Sequence, residues 1–256
     1  MATKKTSTAV AVKKPTSSAI VSIQEQLKAQ LAAQAGKIGA PSGINIRLTQ
    51  DKKFTLPDGS SHAGPLDLVV VDFVSRNMFY EGTYDPNNIT SPVCFAINSV
   101  PRDMVPSDNS PAKQNDDCPS CPMNQFGSSG KGKACKNTRL LAVLPPDADE
   151  DTPLWLLTVS PTAIKGFDGF VGSVARTFQM PPIGVTVSVD FDLNQAYASL
   201  TFSDPRPNEN LEAHFSRQAE ATELLNTEPD YSAFAAAPVK AAPQRPVARK
   251  PAVARR

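Results

Sequence analysis

The clustering of cysteines is the feature that most constrains the fold of this chain. All four cysteines among its 256 residues lie between Cys94 and Cys135, and two of them form the turn Cys118-Pro-Ser-Cys121. Four thiols in one short stretch, two of them in a Cys-x-x-Cys turn, match the tetrahedral coordination of a zinc ion. Two disulfides or a redox-active cysteine pair are the alternatives.

The expected compartment favours zinc among these alternatives. No apolar run approaches the roughly 20 residues needed to cross a bilayer, and the N-terminal residues lack the apolar segment of a signal peptide. We therefore expect a cytoplasmic protein, and in a reducing cytosol clustered cysteines more often bind metal than form disulfides. A redox pair normally accompanies a thioredoxin-like βαβ pattern, which this sequence lacks. Because Cys94, Cys118, Cys121 and Cys135 complete a zinc shell, the expected site is structural.

Charge separates the ends of the chain from its body. Residues 1–16 carry four basic side chains and residues 238–256 carry six, and neither segment contains an acidic residue. The 221 residues between them hold 16 basic and 25 acidic side chains. We predict disordered basic tails at 1–16 and 235–256. Residues 17–36 have apolar side chains at helical spacing, which predicts an amphipathic helix that packs on the domain or mediates self-association or partner binding.

Residues 41–226 carry the pattern of a mainly β domain with a few helices. Alternating or β-branched runs predict strands, and the turn Pro57-Asp-Gly59 predicts that the first two form a meander. The predicted strands are 44–56, 66–80, 93–97, 139–144, 154–159, 184–191 and 197–202. Helices are expected at 161–177, capped by Ser160, and at 209–225. One helix ahead of the last hairpin is compatible with an OB-like small barrel that carries a zinc insertion at about 94–135.

The loop ahead of Cys135 is rich in glycine and lysine. Gly127 to Lys133 satisfies Gly-x-x-x-x-Gly-Lys, but Ala134 stands where a phosphate-binding loop needs a magnesium-binding hydroxyl. The positive charge is better suited to the phosphates of a nucleic-acid backbone, and a solvated loop is the alternative. The residues concerned are Lys131, Lys133, Lys136 and Arg139.

The segment from Cys118 to Leu141, which runs CPSCPMNQFGSSGKGKACKNTRLL, resembles proteins of tailed bacteriophages that bind single-stranded DNA. The resemblance covers about residues 90–145. It implies a zinc-stabilised OB-type barrel that coats and protects single strands during phage DNA replication or recombination, in the cytoplasm of a bacterial host. It also implies single-stranded DNA and replication or recombination proteins as partners, with the four cysteines as zinc ligands.

A single-strand ligand requires aromatic faces beside positive charge, because bases stack and phosphates repel acids. Three aromatic residues, Phe79, Tyr80 and Tyr84, follow Arg76 near the end of a predicted strand. Since neighbouring strand residues point to opposite faces, we expect Phe79 and Tyr80 to separate. Phe126 in the cysteine loop is a second stacking candidate.

Two other classes of function remain open to this sequence. A zinc-stabilised structural or adaptor protein would bind protein partners through its helix and tails. An enzyme would need a catalytic cluster, for which Asp190 and Asp192 on one strand are the best candidates as magnesium ligands. There is no paired histidine and no nucleophile motif, so we predict that the protein is not an enzyme.

Overall fold

A curled β-sheet forms the body of the computed structural model, which describes residues 44–82 and 90–228. The predicted basic arm, the amphipathic helix 17–36 and the basic tail from residue 235 lie outside the described residues, as does Tyr84. The described strands are β1 (Asn45–Leu48), β2 (Lys53–Thr55), β3 (Ser61–Ala63), β4 (Leu66–Phe79), β5 (Cys94–Asn98), β6 (Cys135–Leu144), β7 (Trp155–Val159), β8 (Val185–Phe191) and β9 (Leu200–Pro207).

Three α-helices accompany the sheet in the described residues: α1 (Ile164–Thr177), α2 (Leu211–Ser216) and α3 (Gln218–Asn226). Short 3-10 turns occupy Pro101–Asp103, Pro122–Asn124 and Pro182–Gly184. Within the described ranges, no helix is both long and apolar enough to cross a membrane.

Strand β4 is the centre of the sheet. The strand order is β3-β2-β1-β7-β6-β4-β8-β9, and β5 also pairs with β4. One edge of β4 pairs with β6 from Val69 to Phe79, while its other edge pairs first with β8 and then with β5. The register against β6 shifts between Val70 and Asp72, so one extra residue lies on β4 at this bulge. The sheet curls into a half-barrel, which confirms a mainly β fold with few helices.

Two apolar cores lie on the two faces of the sheet. The larger core fills the inside of the curl and is covered by α1 through Phe167, Phe170 and Val174. The smaller core lies on the other face and is covered by α3 through Ala221 and Leu225. Because successive side chains of a strand point to opposite faces of the sheet, neighbouring residues of the same strand belong to different cores.

The predicted meander of 44–56 with 66–80 is wrong. Residues 44–56 contain two strands, β1 and β2, which pair with each other, and β2 pairs with β3. A tight turn separates β1 from β2, with Lys52 in the left-handed region at φ 57°. The Thr49 hydroxyl accepts from the Lys53 amide at 3.0 Å and closes this turn. β1 therefore lies beside β7 and not beside β4.

The helix predictions need two corrections. Helix α1 begins at Ile164 without a side-chain cap, because the Ser160 hydroxyl contacts the Thr162 hydroxyl at 3.1 Å instead of a helix amide. The predicted helix 209–225 is broken at Arg217 into α2 and α3. The Arg217 guanidinium turns away to donate to the carbonyl oxygens of Glu150 and Thr152, at 3.0 and 2.8 Å.

Candidate functional site

The four cysteines meet at the C-terminal end of β4. Phe79 pairs with Cys94 of β5 on one side and with Cys135 of β6 on the other. Directly paired residues share a sheet face, so these three side chains lie on the same face. Cys118 and Cys121 come from the loop between β5 and β6, and all four thiols are free and at most 9% exposed. Together with Phe79 they line a cavity of about 10 Å³.

Backbone and side-chain hydrogen bonds fix the Cys-x-x-Cys turn. The Cys118 amide donates to the Met104 carbonyl at 3.0 Å, and the Asn124 amide donates to the Cys121 carbonyl at 2.9 Å. The Asn124 side chain donates to the Cys118 carbonyl at 2.7 Å. The turn therefore holds two of the thiols at the cavity through contacts that do not involve the sulfur atoms.

Burial changes the acidity of these thiols. Burial is the main cause that raises the pKa of Cys118 to about 11 and the pKa of Cys135 to about 12, and the neighbouring thiols contribute to both increases. Reactive and redox-active cysteines need a lowered pKa and access to solvent, so these buried thiols have the opposite character. A positive ion among them would favour the thiolate form, because metal binding displaces the thiol protons.

The donor set suits a metal that prefers thiolates. Four sulfur donors with no other ligand type match a closed structural zinc site in number and kind. Among residues 44–82 and 90–228, no three histidine, cysteine or carboxylate side chains are already arranged to hold an ion. The cluster thus supplies four cysteines suited to a zinc site, but their side chains are not arranged around a common centre as they would be around a bound ion.

Asn77 belongs to the cysteine cluster, although sequence reasoning missed it. Its side chain hydrogen-bonds to the Cys118 sulfur, which lowers the pKa of that thiol against the larger effect of burial. The Asn137 side-chain Nδ2 donates to the Asn77 side-chain oxygen at 2.5 Å. Asn77 lies two residues before Phe79 and is only 7% exposed. An asparagine two residues before Phe79, on the same face of a predicted strand, is the signal that could have identified it.

The opposite face of the same strand end carries aromatic and basic side chains. Lys136 pairs with Met78, and its ammonium lies 5.2 Å from the centre of the Tyr80 ring. The Tyr80 hydroxyl donates to the Met78 sulfur at 3.5 Å, and burial raises the pKa of this hydroxyl. Arg76 is half-buried and donates to the Thr158 hydroxyl at 3.3 Å. Arg76, Tyr80 and Lys136 therefore form one partly exposed cationic and aromatic patch, which we call the Tyr80 patch.

A second pairing of lysine with an aromatic ring lies in the loop before β6. Phe126 is 82% exposed, and the Lys133 ammonium lies 5.2 Å from the centre of its ring. Lys133 also donates to the Asn124 side-chain oxygen at 3.2 Å. Lys131 in the same loop is exposed. Lys133 and Lys136 lie on either side of Cys135 in the chain, so both lysine–aromatic pairs are anchored next to the same thiol.

Two of the predicted contact residues are used elsewhere. Phe79 lines the cysteine cavity, so it is separated from the Tyr80 patch as the alternation predicted. Arg139 donates to the Ser75 hydroxyl at 2.8 Å and to the Asp168 carboxylate of α1 at 3.2 Å. Its side chain is only 14% exposed, which gives it a structural role between sheet and helix.

The Gly-x-x-x-x-Gly-Lys segment is a tight turn. The amides of Gly127 and Ser129 both donate to the Gly132 carbonyl, at 2.9 and 3.2 Å. Gly127 and Gly130 have φ of 92° and 65°, which the turn requires. These amides are consumed inside the turn, and strand β6 follows where a phosphate-binding loop would lead into a helix.

The carboxylates considered as magnesium ligands have local partners. The Asp190 carboxylate accepts from the Phe191 amide at 2.7 Å, and the Asp192 carboxylate accepts from the Asn194 amide at 2.9 Å. Two carboxylates of β4 have partners in other elements: Asp67 accepts from Arg206 of β9 at 2.6 Å, and Asp72 accepts from Thr222 of α3 at 2.7 Å. These four carboxylates therefore stabilise turns and contacts between elements.

Comparisons with models of protein families, with curated proteins and with solved structures found no match to this chain.

Proposed function

We propose that this protein binds single-stranded DNA without catalysing a reaction. The observation that carries the proposal is the pair of lysine–aromatic contacts, Lys136 on Tyr80 and Lys133 on Phe126, on the two sides of Cys135. Single-strand binders combine aromatic faces for the bases with cations for the phosphates, and each stacked base contributes about 1–3 kcal/mol. Both requirements are met at one end of the sheet.

The distribution of charge supports a local binding surface. The chain between its basic ends carries 16 basic against 25 acidic side chains. An acidic body repels phosphates, so attraction has to come from places where basic residues are concentrated. Lys131, Lys133 and Lys136 provide such a concentration within six residues. We do not include Arg139 in the proposed interface, because its side chain is nearly buried and is paired with Asp168. Arg76 remains part of the interface as a member of the Tyr80 patch.

We propose that Cys94, Cys118, Cys121 and Cys135 hold one structural zinc ion. Their burial in one cavity supports a closed site, and zinc would supply the positive charge that stabilises the thiolates. Because Cys135 separates Lys133 from Lys136, its fixation would also fix both lysine–aromatic pairs. The metal would then serve binding by ordering the surface and would not contact the DNA.

The sheet that curls into a half-barrel and the resemblance of residues 118–141 to phage proteins support a more specific role in DNA binding. We propose an OB-type barrel with a zinc insertion that coats and protects single strands during phage DNA replication or recombination. Barrels of this type bind ligands on an open sheet face and adjoining loops. The Tyr80 patch lies on a sheet face, and Phe126 lies in an adjoining loop.

A matched pair of tyrosine variants tests the binding proposal. Fluorescence anisotropy would follow the binding of labelled single-stranded and duplex oligonucleotides to wild type, Tyr80→Ala and Tyr197→Ala. Loss of one stacking contact is worth about 1–3 kcal/mol, so Tyr80→Ala should weaken single-strand binding roughly 5–150-fold. Tyr197 is 48% exposed at the turn between β8 and β9, so its removal controls for the loss of a surface tyrosine.

The proposal fails if wild type binds duplex as well as single strands and if both variants bind like wild type. That result would favour the structural or adaptor alternative. For the metal, mass spectrometry of the native protein should find one zinc ion per chain. Less than about half an ion per chain, together with four titratable thiols, would contradict the ligand assignment.

A further inference from the structure

An apolar groove lies far from the cysteine cluster in the fold, between α2 and the turn that precedes β8. It has a volume of about 480 Å³ and is lined by Met180, Pro181, Ile183, Gly184, Leu211 and Phe215, with Glu212 at its edge. Phe215 is 61% exposed, Met180 45% and Leu211 37%. A Cβ on Gly184 would lie 2.8 Å from the Met180 side chain, so glycine is needed for this wall. These exposed apolar side chains lie side by side in the groove, so an apolar occupant would remove them from water.

The surroundings of the groove are acidic. Loop 145–153 contacts both ends of α2, because the Asn210 side chain donates to the Pro146 carbonyl at 2.8 Å and Arg217 donates to the Glu150 carbonyl at 3.0 Å. This loop carries four exposed carboxylates, and Glu209 and Glu212 are exposed beside it. The four are Asp147, Asp149, Glu150 and Asp151. An occupant of the groove should therefore combine an apolar anchor with basic residues.

The chain that follows α3 has this composition. The described residues end at Glu228, and 28 more residues follow it. They contain Phe234 and then six basic residues with no acidic residue after position 230. The six are Lys240, Arg245, Arg249, Lys250, Arg255 and Arg256.

The distance is compatible with docking within one chain. A straight helix with a rise of about 1.5 Å per residue would put Glu228 roughly 20 Å from Phe215, and the break at Arg217 makes this value an upper limit for the helical path. An extended chain covers about 3.3 Å per residue, so Phe234 reaches roughly 20 Å from Glu228, whereas Tyr231 reaches only about 10 Å. Phe234 therefore has sufficient reach even at this upper limit.

We propose that residues 229–256 dock on their own chain, with Phe234 in the apolar groove and the basic residues against the acidic loop 145–153. The arrangement covers the exposed side chains of Phe215, Leu211 and Met180. It also pairs the basic end of the chain with the nearest concentration of acid. The inference does not depend on the binding of nucleic acid.

Limited trypsin digestion of the full-length chain tests this docking. Cleavage after Lys240 would be followed by mass spectrometry, with cleavage after Lys13 as the internal reference for protease activity; Arg245 and Lys14 precede proline, so trypsin does not cleave there. When opening is fast, cleavage follows the population of the undocked form. Phe234→Ser and Phe215→Ser should each speed cleavage at Lys240 about tenfold or more, as expected when a buried phenylalanine is lost. The double variant should be no faster than either single variant.

Two controls make the result specific. Tyr231→Ser changes another aromatic residue of the same segment, three residues closer to Glu228 and outside the proposed anchor. Leu193→Ser removes an apolar residue that is 81% exposed at the turn between β8 and β9. Both should be cleaved at the wild-type rate. Phe234 lies outside the described residues, so Phe234→Ser provides a second test of docking if Phe215→Ser unfolds.

Three results would overturn the proposal. The first is cleavage at Lys240 that is equally fast in wild type and in Phe234→Ser. The second is an acceleration in Tyr231→Ser or Leu193→Ser as large as in Phe234→Ser. The third is protection of Lys240 that grows with protein concentration, which would assign the groove to the same segment of a second copy.

Discussion

The two halves of β4 differ in what surrounds them. In the first half, Leu68 and Val70 face the inside of the curled sheet, and Val69 and Val71 face the core under α3. In the second half, Ser75 and Asn77 lie on the cysteine face, and Arg76 lies on the opposite face with Tyr80 beyond it. Two strands flank both halves, so backbone pairing is similar and the side chains make the difference.

This comparison separates folding from function within a single strand. Apolar burial on two faces contributes about 1.5–3 kcal/mol for each large side chain and stabilises the first half without any ligand. The second half buries polar side chains such as Asn77, whose burial is tolerated only because they are hydrogen-bonded. In our account the metal supplies the missing stabilisation there, and the surface it holds in place binds DNA.

The largest expected effect comes from Cys135→Ser. Structural zinc sites contribute on the order of 10 kcal/mol, and loss of one ligand removes much of this from the second half. Hydrogen exchange should show lost protection of amides in β5 and at the start of β6, while amides of β8 keep theirs. Ser129→Ala, at an exposed position of the same loop, is the matched control and should leave protection unchanged. Uniform loss of protection across both halves would contradict the separation.

The second-largest expected effect is the loss of stability caused by Leu141→Ala, in the core that packs against the first half of β4. Leu141 is fully buried and pairs with Phe73, so its truncation should lower the free energy of unfolding by about 2–5 kcal/mol. Urea unfolding measures this, and Leu193→Ala at an exposed position should change it by less than about 0.5 kcal/mol. Zinc content and single-strand affinity of the folded Leu141→Ala protein should equal those of wild type. A loss of zinc would show that the two halves are energetically one unit.

A smaller effect is expected for Lys136→Ala on the Tyr80 patch. Removing one phosphate contact should lower the slope of log affinity against log salt by about 0.7 for a single strand. Binding titrations at several salt concentrations measure the slope. Lys165→Ala, an exposed lysine on α1, is the control and should keep the wild-type slope. An equal change in both variants would mean that charge acts diffusely and not at the patch.

The smallest effect concerns pH and lies outside the cysteine end. His214 is 1% exposed, its Nδ1 lies 3.1 Å from the Asn208 side-chain oxygen, and burial lowers its pKa below 6.5. The unfolded chain then binds the proton more readily, so the stability that His214 contributes is present above about pH 6.5 and is lost as the pH falls through the lowered pKa. Unfolding of His214→Gln should depend less on pH across this window. A wild-type pH profile in the variant would contradict this assignment.

Alternation in the sequence predicted both strands of the hairpin β8–β9 and the strand that carries Cys94, although β9 begins three residues later than predicted. The predicted strand 139–144 left out the first four residues of β6, including Cys135. The sequence did not predict the turn between β1 and β2, because Lys52 adopts a left-handed conformation that no glycine marks. Nor did it predict the break at Arg217, which depends on contacts with a loop more than 60 residues away. Local patterns do not contain such tertiary contacts.

For the candidate site as well, the sequence predicted which cysteines belong together but not the contacts that depend on the fold. The spacing of the cysteines predicted a common site, and the structure places all four in one cavity. Arg139 was predicted to contact DNA, but Asp168 lies 29 residues away in sequence and only the fold brings it to 3.2 Å. The contact between Lys136 and Tyr80 likewise depends on the pairing of β4 with β6.

The central claim is that a metal-bound cysteine cluster holds a surface that binds single strands. It is tested most directly by measuring single-strand affinity on one sample as purified, after metal removal under reducing conditions, and after return of zinc. Our account predicts a loss of about tenfold or more on removal, since at least one stacking contact becomes disordered, and recovery when zinc returns. Unchanged affinity in fully metal-free protein would contradict it.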